Sequence, residues 1–141
     1  MKIKTSELQG LALDWAVAAA LGWRRAGAAD AARDALHEGV FETVGWADNG
    51  RDRWEKLLAG GKEWSPSTDW SQGGPLIEKG GISVKGWHIR WEATLYWSTR
   101  APGDECKSYH TRKGSGPLIA ICRCFVASKL GEEVDVPEEL L

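Results

Sequence analysis

Gly116-Pro-Leu-Ile-Ala-Ile-Cys-Arg-Cys-Phe-Val-Ala-Ser-Lys-Leu-Gly131 reads as one helix with both ends marked. Ser115 or Gly116 supplies the cap. Pro117 falls at the first helical position, where its missing N–H costs nothing because that group has no intrahelical partner. Leu118, Ile121, Cys122, Phe125 and Val126 recur at helical spacing and define a buried stripe. Lys129 lies in the last turn and Gly131 is the stop. Such a helix needs an apolar surface to lie on.

The preceding residues supply that surface as strands. From His88 to Trp97, Ile89, Trp91, Ala93, Leu95 and Trp97 alternate with His88, Arg90, Glu92, Thr94 and Tyr96. This period of two gives one buried and one polar face. Ile82 to Lys85 is the expected pairing partner. Ala101-Pro-Gly-Asp104 is a turn, and Glu105 to Thr111 returns as a polar edge strand.

At the other end of the chain, Thr5 or Ser6 is expected to open a first helix, with Glu7 in its first turn. Leu8, Leu11, Ala12, Trp15 and Ala19 form its stripe, and Gly22 stops it. Arg24 to Glu38 reads as a second, exposed helix with a weak apolar face. Val40 to Val44 suits a short strand, Asp48-Asn-Gly50 a turn, and Arg51 to Ala59 a short helix closed by Gly60-Gly61. The acidic tail from Glu132 carries Pro137, which opposes a helix. The expected fold is α+β: one domain over 1–141, with a small antiparallel sheet and N-terminal and C-terminal helices packed on it, of α-β-α sandwich type.

Composition narrows the function. The formal net charge is −2 over 141 residues, so neither disorder nor a coat for nucleic acid is indicated. The apolar run from Leu11 to Leu21 is short and broken by Asp14, so no membrane span is expected. No secretory segment follows Met1, which points to the cytoplasm of the host cell. Cys122 and Cys124 lie about 200° apart around a helix and are read as free thiols rather than metal ligands. His37, His88 and His110 are scattered, so no metal site is expected, and no cofactor. Walker, HExxH, CxxC and GxSxG patterns are absent from the sequence, and the chain is read as not an enzyme.

The chemistry concentrates in Trp64-Ser-Pro-Ser-Thr-Asp-Trp-Ser-Gln-Gly-Gly-Pro75. Asp69 is placed to cap a helix, with Gln72 at the capping-box position. Gly73, Gly74 and Pro75 make that helix short, Leu76 and Ile77 give its apolar contacts, and Gly80-Gly81 ends it. Ser67, Thr68 and Asp69 have two readings: they cap backbone N–H groups, or the same helix start receives an anionic or polyhydroxyl ligand. Nine tryptophans against two Phe and two Tyr is the compositional outlier. Trp15, Trp91 and Trp97 are assigned to the core, whereas Trp64 and Trp70 either pack or stack on a ligand. A second basic segment, with Tyr109, Arg112 and Lys113 before Gly114-Ser-Gly116, is either an anion cradle or a solvated loop.

Three blocks together resemble the phage NinX-like family: Leu11 to Val17, Ser67 to Glu78, and Gly116 to Val134. The same blocks look like the phage α-β-α sandwich domain, in which a Ser-Thr-Asp motif starts a middle helix. Against that pattern, 24–61 stands out as an insertion or divergent region. The resemblance implies an α-β-α sandwich and a phage or prophage origin, and it carries over no catalytic residue. The expected function is a non-catalytic phage accessory protein that binds or sequesters a nucleotide-like small molecule in counter-defence. Trp64, Ser67, Thr68, Asp69, Trp70, Tyr109, Arg112 and Lys113 are the candidate ligand-binding residues. The alternative is an interaction module for a host or phage protein. The polar strand face would also suit a homo-oligomer.

Overall fold

The structure is a computed structural model that describes residues 1–25, 40–43, 57–59, 62–87, 90–95, 107–110 and 116–141. It has the expected α+β character, organised around the last helix, α4 (Pro117–Leu130). Gly116 is the N-cap, Pro117 stands at the start, and Gly131 ends the helix at φ 96. The predicted stripe is buried, and so are Ala120, Cys124 and Ala127. Cys122 and Cys124 therefore point to opposite sides of α4, and both are enclosed. A helix buried on opposite sides must lie between two layers.

One layer is a three-stranded antiparallel sheet of β6 (Ile82–Trp87), β7 (Arg90–Leu95) and β8 (Lys107–His110), with β7 central. All three strands contact α4. Opposite them lies α1 (Gly10–Ala20), which is apolar around most of its circumference and buries Ala12, Leu13, Ala16, Val17 and Ala18. Ile82 pairs with Leu95 and Val84 with Ala93, which places these four apolar residues on one sheet face, as the alternation implies. Ile89 and Trp97 lie outside the described residues, as does the turn at 101–104.

Trp91 departs from its expected core position and is 37% exposed. It pairs directly with Gly86, and a Cβ on Gly86 would come within 2.9 Å of the indole ring. The ring thus lies over the space that glycine leaves at the end of the strand pair. Trp15 is only partly buried against the core.

The start of the first helix also differs. Lys2–Lys4 form β1, Thr5–Glu7 form a single 3-10 turn, and α1 begins at Gly10. Thr5 serves the other end of the chain: its hydroxyl donates to the Gly131 carbonyl at 2.7 Å, and its N–H donates to Glu132 O at 2.8 Å. β1 then pairs antiparallel with β9 (Glu133–Asp135), so the acidic tail closes a two-stranded sheet with the N-terminus. The Met1 ammonium donates to the Asp135 carboxylate at 2.8 Å and holds that acid below its ordinary range. Gly22 does stop the first helix, at φ 81, with its N–H on Ala19 O.

Between α1 and the central motif lies a four-stranded sheet in the order β2 (Arg24–Arg25), β3 (Val40–Thr43), β4 (Leu57–Ala59) and β5 (Lys62–Glu63). The strand expected at Val40 is present. Two helix expectations are corrected at their described ends: Arg24–Arg25 pairs in parallel with β3, and Leu57–Ala59 pairs antiparallel with it. Residues at strand-pairing distance satisfy their backbone groups across the ladder, which outweighs a weak local helix preference. The remainder of both segments, 26–38 and 51–56, lies outside the described residues. Among the described residues no helix is long and apolar enough to cross a membrane, and no group of three His, Cys, Asp or Glu could hold a metal ion.

Two outcomes follow from the packing of α4. A Cβ at Gly73 would run into the Pro66 carbonyl oxygen and come within 2.7 Å of Leu118 Cδ2, while a Cβ at Gly116 meets nothing. Gly73→Ala should lower the unfolding free energy by about 1–3 kcal/mol in urea titrations, whereas Gly116→Ala, which meets no clash and loses only a glycine N-cap, should cost less, about 0.5–1 kcal/mol. The second outcome concerns the thiols. Burial pushes Cys124 from the ordinary 9.0 up to about 12. Burial, and then the negative charge of Asp14, push Cys122 higher still. The folded pKa values are raised, so this contribution to stability is whole below pH 9 and is lost as pH rises toward 12. Between pH 9 and the raised folded value, stability should fall by up to roughly 1.4 kcal/mol per pH unit for each thiol, and a Cys122→Ala, Cys124→Ala double variant should flatten the slope.

Candidate functional site

Asp14 of α1 is hydrogen-bonded twice to the segment from Trp64 to Gly81. Its carboxylate is 5% exposed and accepts the Ser67 N–H at 2.9 Å. Its backbone carbonyl accepts the Trp64 indole Nε1–H at 2.8 Å. A carboxylate inside an apolar helix is costly unless backbone N–H groups or other donors meet it. Asp14 meets that requirement by anchoring a turn 53 residues away in sequence.

The turn itself is built from short polar side chains. The N–H groups of Thr68 and Asp69 both donate to Ser65 O. The Ser65 and Thr68 hydroxyls bond to each other. Asp69 is the N-cap of α2 (Trp70–Gly73), and its Oδ1 accepts from Ser71 N at 2.9 Å and from the Ser71 hydroxyl at 2.7 Å. Gln72 does not close the expected capping box. Its Oε1 accepts the Ser65 N–H instead, because the Asp69 N–H is already committed to Ser65 O. After Gly74 and Pro75 comes α3 (Leu76–Gly80), ended by Gly81 in the left-handed region at φ 62. The one short helix expected from Asp69 to Gly80-Gly81 is thus two, divided at Gly74-Pro75.

Beside this segment lies an open concavity of about 180 Å³. Leu21 and Trp23 line it from the end of α1, Ser71 and Gln72 from α2, and Pro75, Leu76 and Lys79 from the next turn and α3. Trp64 completes the lining, although only 8% of it is exposed. Trp23 and Trp64 touch, with centroids 4.3 Å apart and planes at 48°. No ring fits between indoles already in contact, and Trp23 is half-buried, with its remaining surface in the lining.

Of the expected ligand residues, Trp64 lines the concavity. Ser67 is buried with its N–H on Asp14. Thr68 and Asp69 are exposed and bonded within the turn and cap, and neither lines the concavity. Trp70 is 54% exposed and points elsewhere than this lining. Tyr109 stands opposite Ala93 in the register of β8. Arg112 and Lys113 lie outside the described residues.

A profile for the family described as Bacteriophage P22, NinX matches residues 4–129. The chain belongs to this family. The NinX match spans Asp14, the whole Trp64–Gly81 segment and every residue lining the concavity. It makes the molecule a phage protein. No curated protein matches the chain.

Asp14, Trp23 and Lys79, which anchor or line this candidate site, are outside the ligand-binding set expected from the sequence. Two left a signal. Asp14 is the one charge in the apolar run from Leu11 to Leu21 and so demands a partner. Trp23 follows directly on the Gly22 helix stop, where the chain turns back over α1. Lys79 left none, since a lysine in a last helical turn is ordinary.

Asp14→Ala should strand the buried Ser67 N–H and cost about 1.5–3 kcal/mol in denaturant unfolding, and Asp14→Asn, which retains an acceptor oxygen, should cost less. Trp64→Phe, which removes only the indole donor and some packing, should cost about 1–2 kcal/mol by the same measurement.

Proposed function

We propose that this NinX-family protein is a non-catalytic phage accessory protein that captures a nucleotide-like small molecule beside the Trp64–Gly81 segment. The observation that carries the reading is a concavity in which a half-buried indole, Trp23, meets a cationic side chain, Lys79, and the polar groups of Ser71 and Gln72. An aromatic wall with a cation at the rim matches a heterocycle bearing an anionic group. Binding without turnover is favoured because the described lining holds no imidazole or thiol, and the Ser71 hydroxyl is committed to the Asp69 cap. Capture of this kind would act in the host cytoplasm, by withdrawing a nucleotide signal used in defence.

A second reading, docking to a host or phage protein, is favoured by the exposure of Trp70, a side chain type that often anchors interfaces. Differential scanning fluorimetry against a panel of common and cyclic nucleotides separates the two. Capture predicts a rise in melting temperature with at least one nucleotide, corresponding to about 2.7 kcal/mol of stabilisation at a hundredfold excess over Kd. No shift with any nucleotide would overturn the capture reading and leave the Trp70 surface as the stronger basis for function.

A further inference from the structure

Resting on the reading of the concavity as a ligand site, we infer that it takes one aromatic ring on the outer face of Trp23 and holds the ligand's anionic group at the rim through Lys79, so that it selects phosphorylated over uncharged forms of the same heterocycle. Three observations converge on this division of roles.

The first is size. At about 180 Å³ the concavity is smaller than the roughly 300–1,000 Å³ of pockets that enclose drug-sized ligands. It has room for a ring system, and a sugar and phosphate extend beyond it. The second is the geometry of the walls. Trp64 is almost wholly buried, tied to Asp14 O and in contact with Trp23. It supports the Trp23 indole, and a ligand ring can stack only on the part of Trp23 that opens on the concavity. The third is charge. Among the described residues Lys79 is the only charged side chain in the lining. It is exposed, and its ammonium has no hydrogen-bond or ion-pair partner among the described residues. The Asp69 carboxylate, which would repel an anion, is outside the lining and receives two bonds from Ser71. The sequence adds Arg24-Arg25 directly after Trp23, so basic residues flank the stacking indole along the chain.

The chemistry differs from a buried phosphate cradle. A solvated ammonium at a rim contributes modestly, and its contribution is weakened by salt. The ring supplies the larger part of the affinity by stacking. Selection between charged and uncharged forms should therefore be a few-fold effect.

Isothermal titration calorimetry of the full chain with adenosine, guanosine, cytidine and uridine, and with their 5′-monophosphates, tests this at low and high salt. For a base that binds, the monophosphate should bind about threefold to fivefold more tightly than the nucleoside at low salt, and the gap should narrow at high salt. Lys79→Gln, a change at an exposed side chain, should erase the gap between nucleoside and monophosphate. Trp23→Ala should weaken both forms about tenfold or more, and Trp23→Phe, which keeps a ring in place, should restore part of that loss. Equal binding of nucleoside and monophosphate, or a gap that survives in Lys79→Gln, overturns the role given to Lys79 while the capture reading stands. Loss of only the phosphate preference in Trp23→Ala overturns the role given to Trp23. Binding of no nucleoside or monophosphate, together with no shift in the nucleotide panel, overturns both readings.

Discussion

The enclosure of α4 is the constraint on which the rest of the structure depends. Its apolar residues are not confined to one stripe, so a single covering surface is insufficient. The sheet β6–β7–β8 covers one side and α1 the other, with the short helices and the β1–β9 pair closing the remainder. Cys122 and Cys124 record this most directly: two thiols on opposite sides of one helix are both removed from water. Each layer alone would leave an apolar face exposed, so the layers are stable only together.

Close packing around α4 also determines where the site forms. Gly73 lets α2 approach Leu118 and the Pro66 carbonyl more closely than any other residue would. That approach brings the α2–α3 pair beside the end of α1, where Gly22 turns the chain and delivers Trp23. The concavity is the seam between these pieces. Asp14 locks it, since one residue accepts the Ser67 N–H through its carboxylate and the Trp64 N–H through its carbonyl. The polar groups of the Ser-Thr-Asp motif are then largely spent on structure, and Trp23 and Lys79 are among the side chains that line the concavity. The whole arrangement lies within residues 4–129, the span that the NinX family profile matches.

Much of the architecture was legible wherever the decisive contacts are local. The ends of α4 follow from Pro117 and Gly131, the β6–β7 pairing from alternation, and the Asp69 cap from its place before Trp70. Expectations failed where distant partners compete for the same groups. Thr5 looked like a helix opener and instead joins the far end of α4 at Gly131. Gln72 had the spacing of a capping box and was drawn to Ser65. Arg24–Arg25 and Leu57–Ala59 sit in segments with helical composition, and each found a neighbouring strand.

By itself, then, the sequence determined the α+β class, the main helix and strand pair, and the concentration of aromatic and hydroxyl groups at 64–75, because periodicity, caps and glycine stops act over a few residues. It also carried the resemblance to a phage family that the profile match bears out. Tertiary structure alone decided what those groups do. Whether Trp64 faces a ligand or the core, whether Trp91 is covered, and which tryptophan lines the concavity all depend on contacts between residues tens of positions apart. An indole serves core and site equally well as a residue type, and only the position of Asp14 on α1 settles that Trp64 is held inward while Trp23 remains accessible.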